Sequence, residues 1–455
     1  MKLWKKKISV NKQVEKFTIG KDRELDLLLA EHDVTGSMAH AKMLAQVGLL
    51  KKSVRQKLHK ELKNILQNIK AGRFKIEQGT EDIHSQIEFL LTKKLGNIGK
   101  QIHTARSRND QVLLDVVLFS RTEIKTIVRQ AHPLFSLLIQ LSEKHKKKLL
   151  PGYTHLQVAM PSSFGLWFGA YAESIKEDIE FLFSVYGIIN KNPLGSAAGY
   201  GTSLPIKRKI TTQLLGFDGM NHNSVYAQMT RGRTEKLVST AMALLASTLA
   251  KMAMDICLFM NQNFGFVSFP ENLTTGSSIM PHKKNPDVFE LIRGKCNRLQ
   301  TVPQQMTSVI SNLPSGYHRE FQLLKEIYFP AFGELKDCLT MMNFMLRQIQ
   351  AKDNIMSAKS GSASGGKDEK YKHIFSVDAV NELVKKGIPF RDAYKRVGED
   401  IASDNFIIPK NITYTHEGSI GNLQNSEIRK EMNGIMRKFN QKFRKVDSVL
   451  GRLLK

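Results

Sequence analysis

Cysteine is nearly missing from this sequence: Cys257, Cys296 and Cys338 are the only three in 455 residues. They are odd in number and widely spaced, which excludes a disulfide framework and a CxxC redox or zinc motif. Buried small side chains in a reducing, cytoplasmic compartment are the expectation. Metal-ligand patterns are also missing, with no HExxH, no paired carboxylate cluster and no Cys/His spacing. No phosphate-binding glycine loop is present either. Neither a metal nor an organic cofactor is therefore expected. The start, Met1-Lys2-Leu3-Trp4-Lys5-Lys6-Lys7, is basic but no apolar core follows, which makes a poor signal peptide. The best membrane candidate, Leu237 to Met260, is interrupted by Lys251 and Asp255, so a buried helix is expected and no membrane partner.

Acidic residues are scarce: 42 Asp and Glu against 68 Lys and Arg leave a formal charge of +26. Such an excess raises nucleic acid as a partner. The basic residues are nevertheless dispersed, with short runs at Lys5–Lys7, Lys144–Lys148 and Arg429–Lys445. No zinc-finger spacing, RNA-binding signature or aromatic-interleaved basic stripe accompanies them. The expectation is no nucleic-acid partner, and a solvated basic surface that draws in an anionic substrate.

What is present is helix. With 41% hydrophobic and 24% charged residues the chain is that of a folded protein, and its length suits two to four domains. Arg233 to Phe264 contains no Gly or Pro and is flanked by Gly232 and Gly265. At about 1.5 Å per residue it makes a helix approaching 50 Å. Ser163 to Asn190 reads as a second long helix, broken only by Gly165, Gly169 and Gly187. Thr104 to Leu150 reads as a third, interrupted near Pro133. Helices this long and apolar need partners, which points to a bundle extending across a subunit interface. Ser357 to Lys370 is Ser/Gly/Lys-rich and reads as an exposed linker. The expected architecture is all-α in three parts: 1–103, mainly short helices; 104–355, a long-helix bundle; and 356–455, a small helical domain.

The sharpest chemical signal is the run Gly276-Ser277-Ser278-Ile279-Met280-Pro281-His282-Lys283-Lys284-Asn285-Pro286. Gly276 and the serines offer mobile, exposed amides, Lys283 a fixed cation, and Pro286 can open the next helix. An ordinary polar surface loop has the same residue types, but not usually eleven in a row between helices.

This run resembles the GSSxMPxKxNP signature of the fumarase/aspartase superfamily, whose members release fumarate by β-elimination. Three further segments narrow the resemblance to the argininosuccinate lyase family. His103-Thr104-Ala105-Arg106-Ser107-Arg108-Asn109-Asp110-Gln111 is similar to its HTGRSRNDQ segment, with Ala105 in place of Gly. Gly152-Tyr153-Thr154-His155-Leu156-Gln157 is similar to GYTHLQ. Leu313-Pro314-Ser315-Gly316-Tyr317 with Gln322 and Lys325 is similar to LPSxY…Q..K. The resemblance runs from about Asp33 to Gly398. It departs at the start, where Trp4-Lys5-Lys6-Lys7 replaces a WGGR-like segment, and at His282, where Gln is usual.

Elimination next to a carboxylate needs a base, cations or amides for the developing dianion, and a grip on the departing guanidinium. The resemblance implies that Ser277 works at the reacting carbon and that Lys283 supplies the cation beside it. It implies that His155 is the partner acid or base and that Glu290 orients it. Either of Ser277 and His155 can be the base and the other the acid. Ser37, Arg108, Asn109, Thr154, Asn285, Tyr317, Gln322 and Lys325 are implied as grips on the substrate, with Asp82 supporting them. Taken singly, most such residues are ordinary polar side chains; the linked motifs single them out. The resemblance also implies a homotetramer with active sites where segments of different subunits meet. The rivals are another superfamily lyase (adenylosuccinate lyase, fumarase or aspartase), a non-catalytic crystallin-like protein on the same scaffold, and a nucleic-acid-binding protein.

Overall fold

A computed structural model describes residues 11–353, 355–356, 369–410 and 412–455. The Lys-rich start and most of the Ser/Gly/Lys-rich stretch lie outside the described residues. The N-terminal third carries α1 (Ala30–Gln46), α2 (Lys52–Lys70) and α3 (Ile83–Leu95). Then comes α4 (Arg108–His145), a helix of 38 residues. It starts cleanly because Ser107 and Asp110 form a capping box that satisfies its first amides. Residues 110–121 of α4 are buried on every side, which puts this stretch at the centre of the bundle.

The expected interruption at Pro133 does not occur: α4 runs straight through it. A proline removes one backbone hydrogen bond, and packing along a buried helix outweighs that loss. Likewise α5 (Phe164–Ile189) runs through its glycines. Gly165 is required there by close approach: a Cβ would lie 2.6 Å from the Cα of Lys146 and 2.9 Å from the carbonyl of Ser142. Between α4 and α5 the chain forms an unexpected hairpin, β1 (Leu149–Thr154) paired antiparallel with β2 (Gln157–Ser163).

The bundle is completed by α6 (Arg233–Met260), α7 (Asp287–Leu299), α8 (Val302–Ile310) and α9 (Leu323–Leu346). By length and composition α6 alone among the described helices could cross a membrane, and half of its most apolar window is buried. Its Asp255 is spoken for, since Trp167 Nε1 (3.0 Å) and Tyr171 OH (2.6 Å) donate to it from α5. One continuous apolar core joins α1–α9 to the last helix, α12 (Asn425–Leu454), through side chains such as Phe439 and Phe443. A second, small core of Val380, Ala393, Val397 and Phe406 belongs to α10 (Ser376–Lys385) and α11 (Phe390–Ala402).

The start of α6 depends on a buried ion pair. Arg231 and Glu235 bond each other with side chains 1% exposed, and Glu235 also accepts from the amide of Gly232 at 2.8 Å. Arg231 further donates to the carbonyl of Phe321. Removing one member leaves an uncompensated buried charge. Glu235→Ala should therefore lower unfolding free energy by about 3–5 kcal/mol, read from the denaturant midpoint. A loss below about 1 kcal/mol would show that water or a rearranged partner replaces the carboxylate.

Candidate active site

At the N-terminal end of α4 a cavity of about 460 Å³ opens between the turn before α4, the segment before α3, and the segment leading into α9. Arg108, Asn109, Tyr317, Gln322 and Lys325 all line it, so five of the expected substrate grips are brought together. The turn that delivers Arg108 and Asn109 places Ala105 at φ +60°. A glycine would sit there without strain, so the one departure in this segment falls on a left-handed position.

Two of the pocket's cations are already matched. Lys325 is buried, and its ammonium contacts Asp26 at 2.6 Å and Asp22 at 2.8 Å. Burial alone would lower its pKa; Asp26 and Asp22 overcome that and raise it. Arg108 pairs with Asp82 and, at 3.2 Å, with Glu81. Asp82 also caps α3 by accepting from the amide of Ser85 at 2.8 Å. Two groups keep capacity for a ligand. The side-chain amide of Asn109 has no hydrogen bond among the described residues. Gln322 donates to the Tyr317 hydroxyl at 2.6 Å, which leaves its buried Oε1 without a partner.

Ser37 is buried behind the wall rather than in it, and accepts from Arg106 Nη1 at 3.0 Å. Arg106, His84, Asp26 and Arg319 line the cavity although sequence reading assigned them no role. Arg106 lay inside the quoted His103–Gln111 segment and His84 beside Asp82. No sequence signal marks Asp26, which meets Lys325 from 299 positions away. Beneath the pocket His84 Nδ1 contacts Asp33 at 3.1 Å and Asp115 at 3.7 Å. Burial opposes charge on His84, but Asp33 overcomes it and the pKa is raised; burial and then the charge of Asp33 push Asp115 well up. These three could offer ligand atoms to a metal. Among the described residues, Asp33 Oδ2 and both carboxylate oxygens of Asp115 are buried there without a hydrogen-bond partner.

The remaining candidates sit elsewhere. Thr154, His155 and Leu156 are exposed at the tip of the β1–β2 hairpin, where His155 (φ +52°) and Leu156 (φ +60°) are both left-handed. Thr154 pairs with Gln157, so the tip is a two-residue turn of the kind that normally demands Asn or Gly. Holding His155 there costs backbone strain of the kind found at functional tips. The signature run forms an exposed loop closed by a bridge between Thr275 and Asn285. Inside it Ser277 Oγ accepts from the amides of Met280 (3.2 Å) and Ile279 (3.3 Å). Two N–H dipoles aimed at one oxygen stabilise its alkoxide. Asn285 Nδ2 donates to the Gly276 carbonyl at 3.3 Å, while Lys283 and Glu290 stand exposed. No hydrogen bond joins Glu290 to His155 among the described residues.

Chain geometry separates these two groups. The 38 residues of α4 span about 57 Å. The ten steps from His145 to His155 can recover at most about 35 Å, so Arg108 and His155 of one chain stay at least about 20 Å apart. The loop is anchored at the same far end: Phe264 and Phe266, which lead into it, pack on Tyr153 of the hairpin at 5.4 and 6.4 Å between ring centroids. After the loop, Arg293 of α7 meets Met254, about 33 Å along α6 from Gly232. The chain then returns through α8, whose Ile310 packs on Gly232, to the pocket. One chain therefore holds two groups of candidate residues at opposite ends of its bundle.

A lyase family model matches residues 6–301. A crystal structure of EDDS lyase in complex with formate shares the fold, with a TM-score of 0.73 at 18% identity over 98% of this chain and 94% of that one. Fold and family match define a lyase of the fumarase/aspartase type. The argininosuccinate lyases of Bacteroides thetaiotaomicron and Bacteroides fragilis are each 55% identical over 96% of this chain and 96% of their own. The chain belongs to the argininosuccinate lyase family.

Proposed function

We propose that this protein splits argininosuccinate into arginine and fumarate, the last step of arginine biosynthesis, as a cytoplasmic homotetramer with no metal or organic cofactor. The observation that carries the activity is the 55% identity to an argininosuccinate lyase along 96% of both chains. The reaction removes a proton from the carbon beside a carboxylate, breaks the C–N bond, and returns a proton to the departing guanidino nitrogen. Ser277, its oxygen facing two amides, is suited to the first transfer and His155 to the second, or the reverse. Lys283 and Asn285 receive the substrate carboxylate on which charge develops. Glu290 tunes His155. Asn109, Tyr317 and Gln322 hold the arginine portion, with Thr154 on the fumarate end. Arg108 and Lys325 keep the pocket's shape and charge as much as they touch substrate, and Ser37 supports Arg106 from behind the wall.

Tetramer formation is supported by the separation of the two groups of candidate residues and by uncovered apolar side chains on the bundle. Ile188 of α5, Leu244 and Met254 of α6, Leu291 of α7 and Phe344 of α9 are each 44% exposed or more. Purified protein in a metal chelator should release fumarate from argininosuccinate, with little activity on adenylosuccinate, malate or aspartate. A preference for adenylosuccinate, or full loss of activity in chelator, would overturn the reading.

Gln322 separates grip from chemistry. Gln322 lines the pocket and holds the Tyr317 hydroxyl there, so Gln322→Ala should raise KM about tenfold or more while kcat falls much less. Unchanged kinetics would remove it from the site. Lys325→Ala is the poorer test, because it leaves Asp22 and Asp26 buried without their cation.

A further inference from the structure

A second, smaller cavity of about 330 Å³ lies between α2, the end of α1 and the end of α12, and shares no lining residue with the first. Lys42, Arg55, Lys60, Lys63, Arg452 and Lys455 line it together with His59, and no aspartate or glutamate does. Arg55, His59 and Lys63 recur every fourth residue on α2, so they share one face, with Lys60 beside them. The cations gathered here repel one another unless something neutralises them. Among the described residues none of these lysines and arginines is ion-paired with an aspartate or glutamate. The buried Nε of Arg55 has no hydrogen-bond partner at all. His59, held by the Met38 carbonyl at 3.0 Å, has its pKa lowered by burial and then by Arg55, Lys42 and Lys63.

The carbonyl end of α12 accounts for one of these cations, since Lys63 bonds the Lys455 carbonyl. The Lys455 end of α12 supplies at most about one negative charge, so most of the cluster remains unmatched. A single carboxylate would leave the same surplus. The cavity stands at the lower end of the size range of small-molecule sites, enough for a few linked phosphate groups and too small for a folded polymer.

We propose that this cavity is a binding site for a small oligophosphate, an anion of several linked phosphates, separate from the elimination chemistry. Sodium tripolyphosphate, titrated calorimetrically into the full chain at low salt, should bind saturably and raise Tm. Arg55→Gln with Lys63→Gln should weaken that binding at least about tenfold, as expected for two lost charge-assisted contacts. Lys60→Gln with Arg452→Gln, both on the exposed rim, gives an independent second pair with the same expectation. Lys144→Gln with Lys147→Gln, in the exposed basic run elsewhere, should leave the affinity unchanged. Fumarate release from argininosuccinate should be unchanged in all three, which also reports that they fold. Absence of saturable binding, or equal weakening in the Lys144/Lys147 control, would overturn the proposal. So would a DNA duplex that binds through Arg55 and Lys63 and displaces tripolyphosphate, since the cavity would then be part of an extended polyanion surface.

Discussion

Subunits carrying Asn109→Ala and subunits carrying Ser277→Ala, each nearly inactive alone, should regain roughly a quarter of wild-type activity when dissociated and reassembled together. Asn109 lines the pocket at the start of α4, while Ser277 sits in a loop anchored beyond the far end of α6. If a working site takes its pocket from one chain and its loop from another, random mixing makes each half intact about half the time. Roughly one site in four then has both halves. Sites built within one chain would always contain a lesion, because every chain carries one. Recovery near a quarter thus separates the two arrangements without any assumption about which residue is acid and which is base. Verified mixed tetramers with no recovery would contradict a site shared between chains.

Ser277→Ala should lower kcat by about 10²–10⁴-fold, the usual range for a lost proton-transfer group, with KM changed far less. The Ile279 and Met280 amides reach Ser277 Oγ at 3.3 and 3.2 Å, so the loop prepares this hydroxyl to carry negative charge. Ser278, its exposed neighbour, receives no such bonds, and Ser278→Ala should be mild. Retention of more than about a tenth of the wild-type rate in Ser277→Ala would remove that residue from the chemistry.

Long helices were the most legible part of this fold. A breaker-free apolar stretch from Arg233 became α6, and Ser163 to Asn190 became α5 almost to the residue. Proline and glycine misled at Pro133 in α4 and Gly165 in α5, because tertiary packing decides such positions. The β1–β2 hairpin was not read, since Pro151, Gly152 and Pro161 obscure its alternation and its turn uses His155-Leu156 instead of Asn-Gly.

Within the candidate site, the motifs identified which side chains matter but not how they group. Asp26 joins Lys325, and Arg106 covers Ser37, across separations of 299 and 69 residues that no local pattern encodes. The division into two groups depends on helix lengths in three dimensions. Sequence pointed to shared sites only through the family resemblance and the need of long helices for partners.

The most direct test is a crystal structure of the assembled Ser277→Ala protein with argininosuccinate bound. Its substrate should lie within hydrogen-bond reach of Asn109 and Gln322 of one chain, and beside position 277 and His155 contributed by other chains. A substrate enclosed by Asn109, His155 and position 277 of a single chain, or seated outside the pocket altogether, would contradict the account.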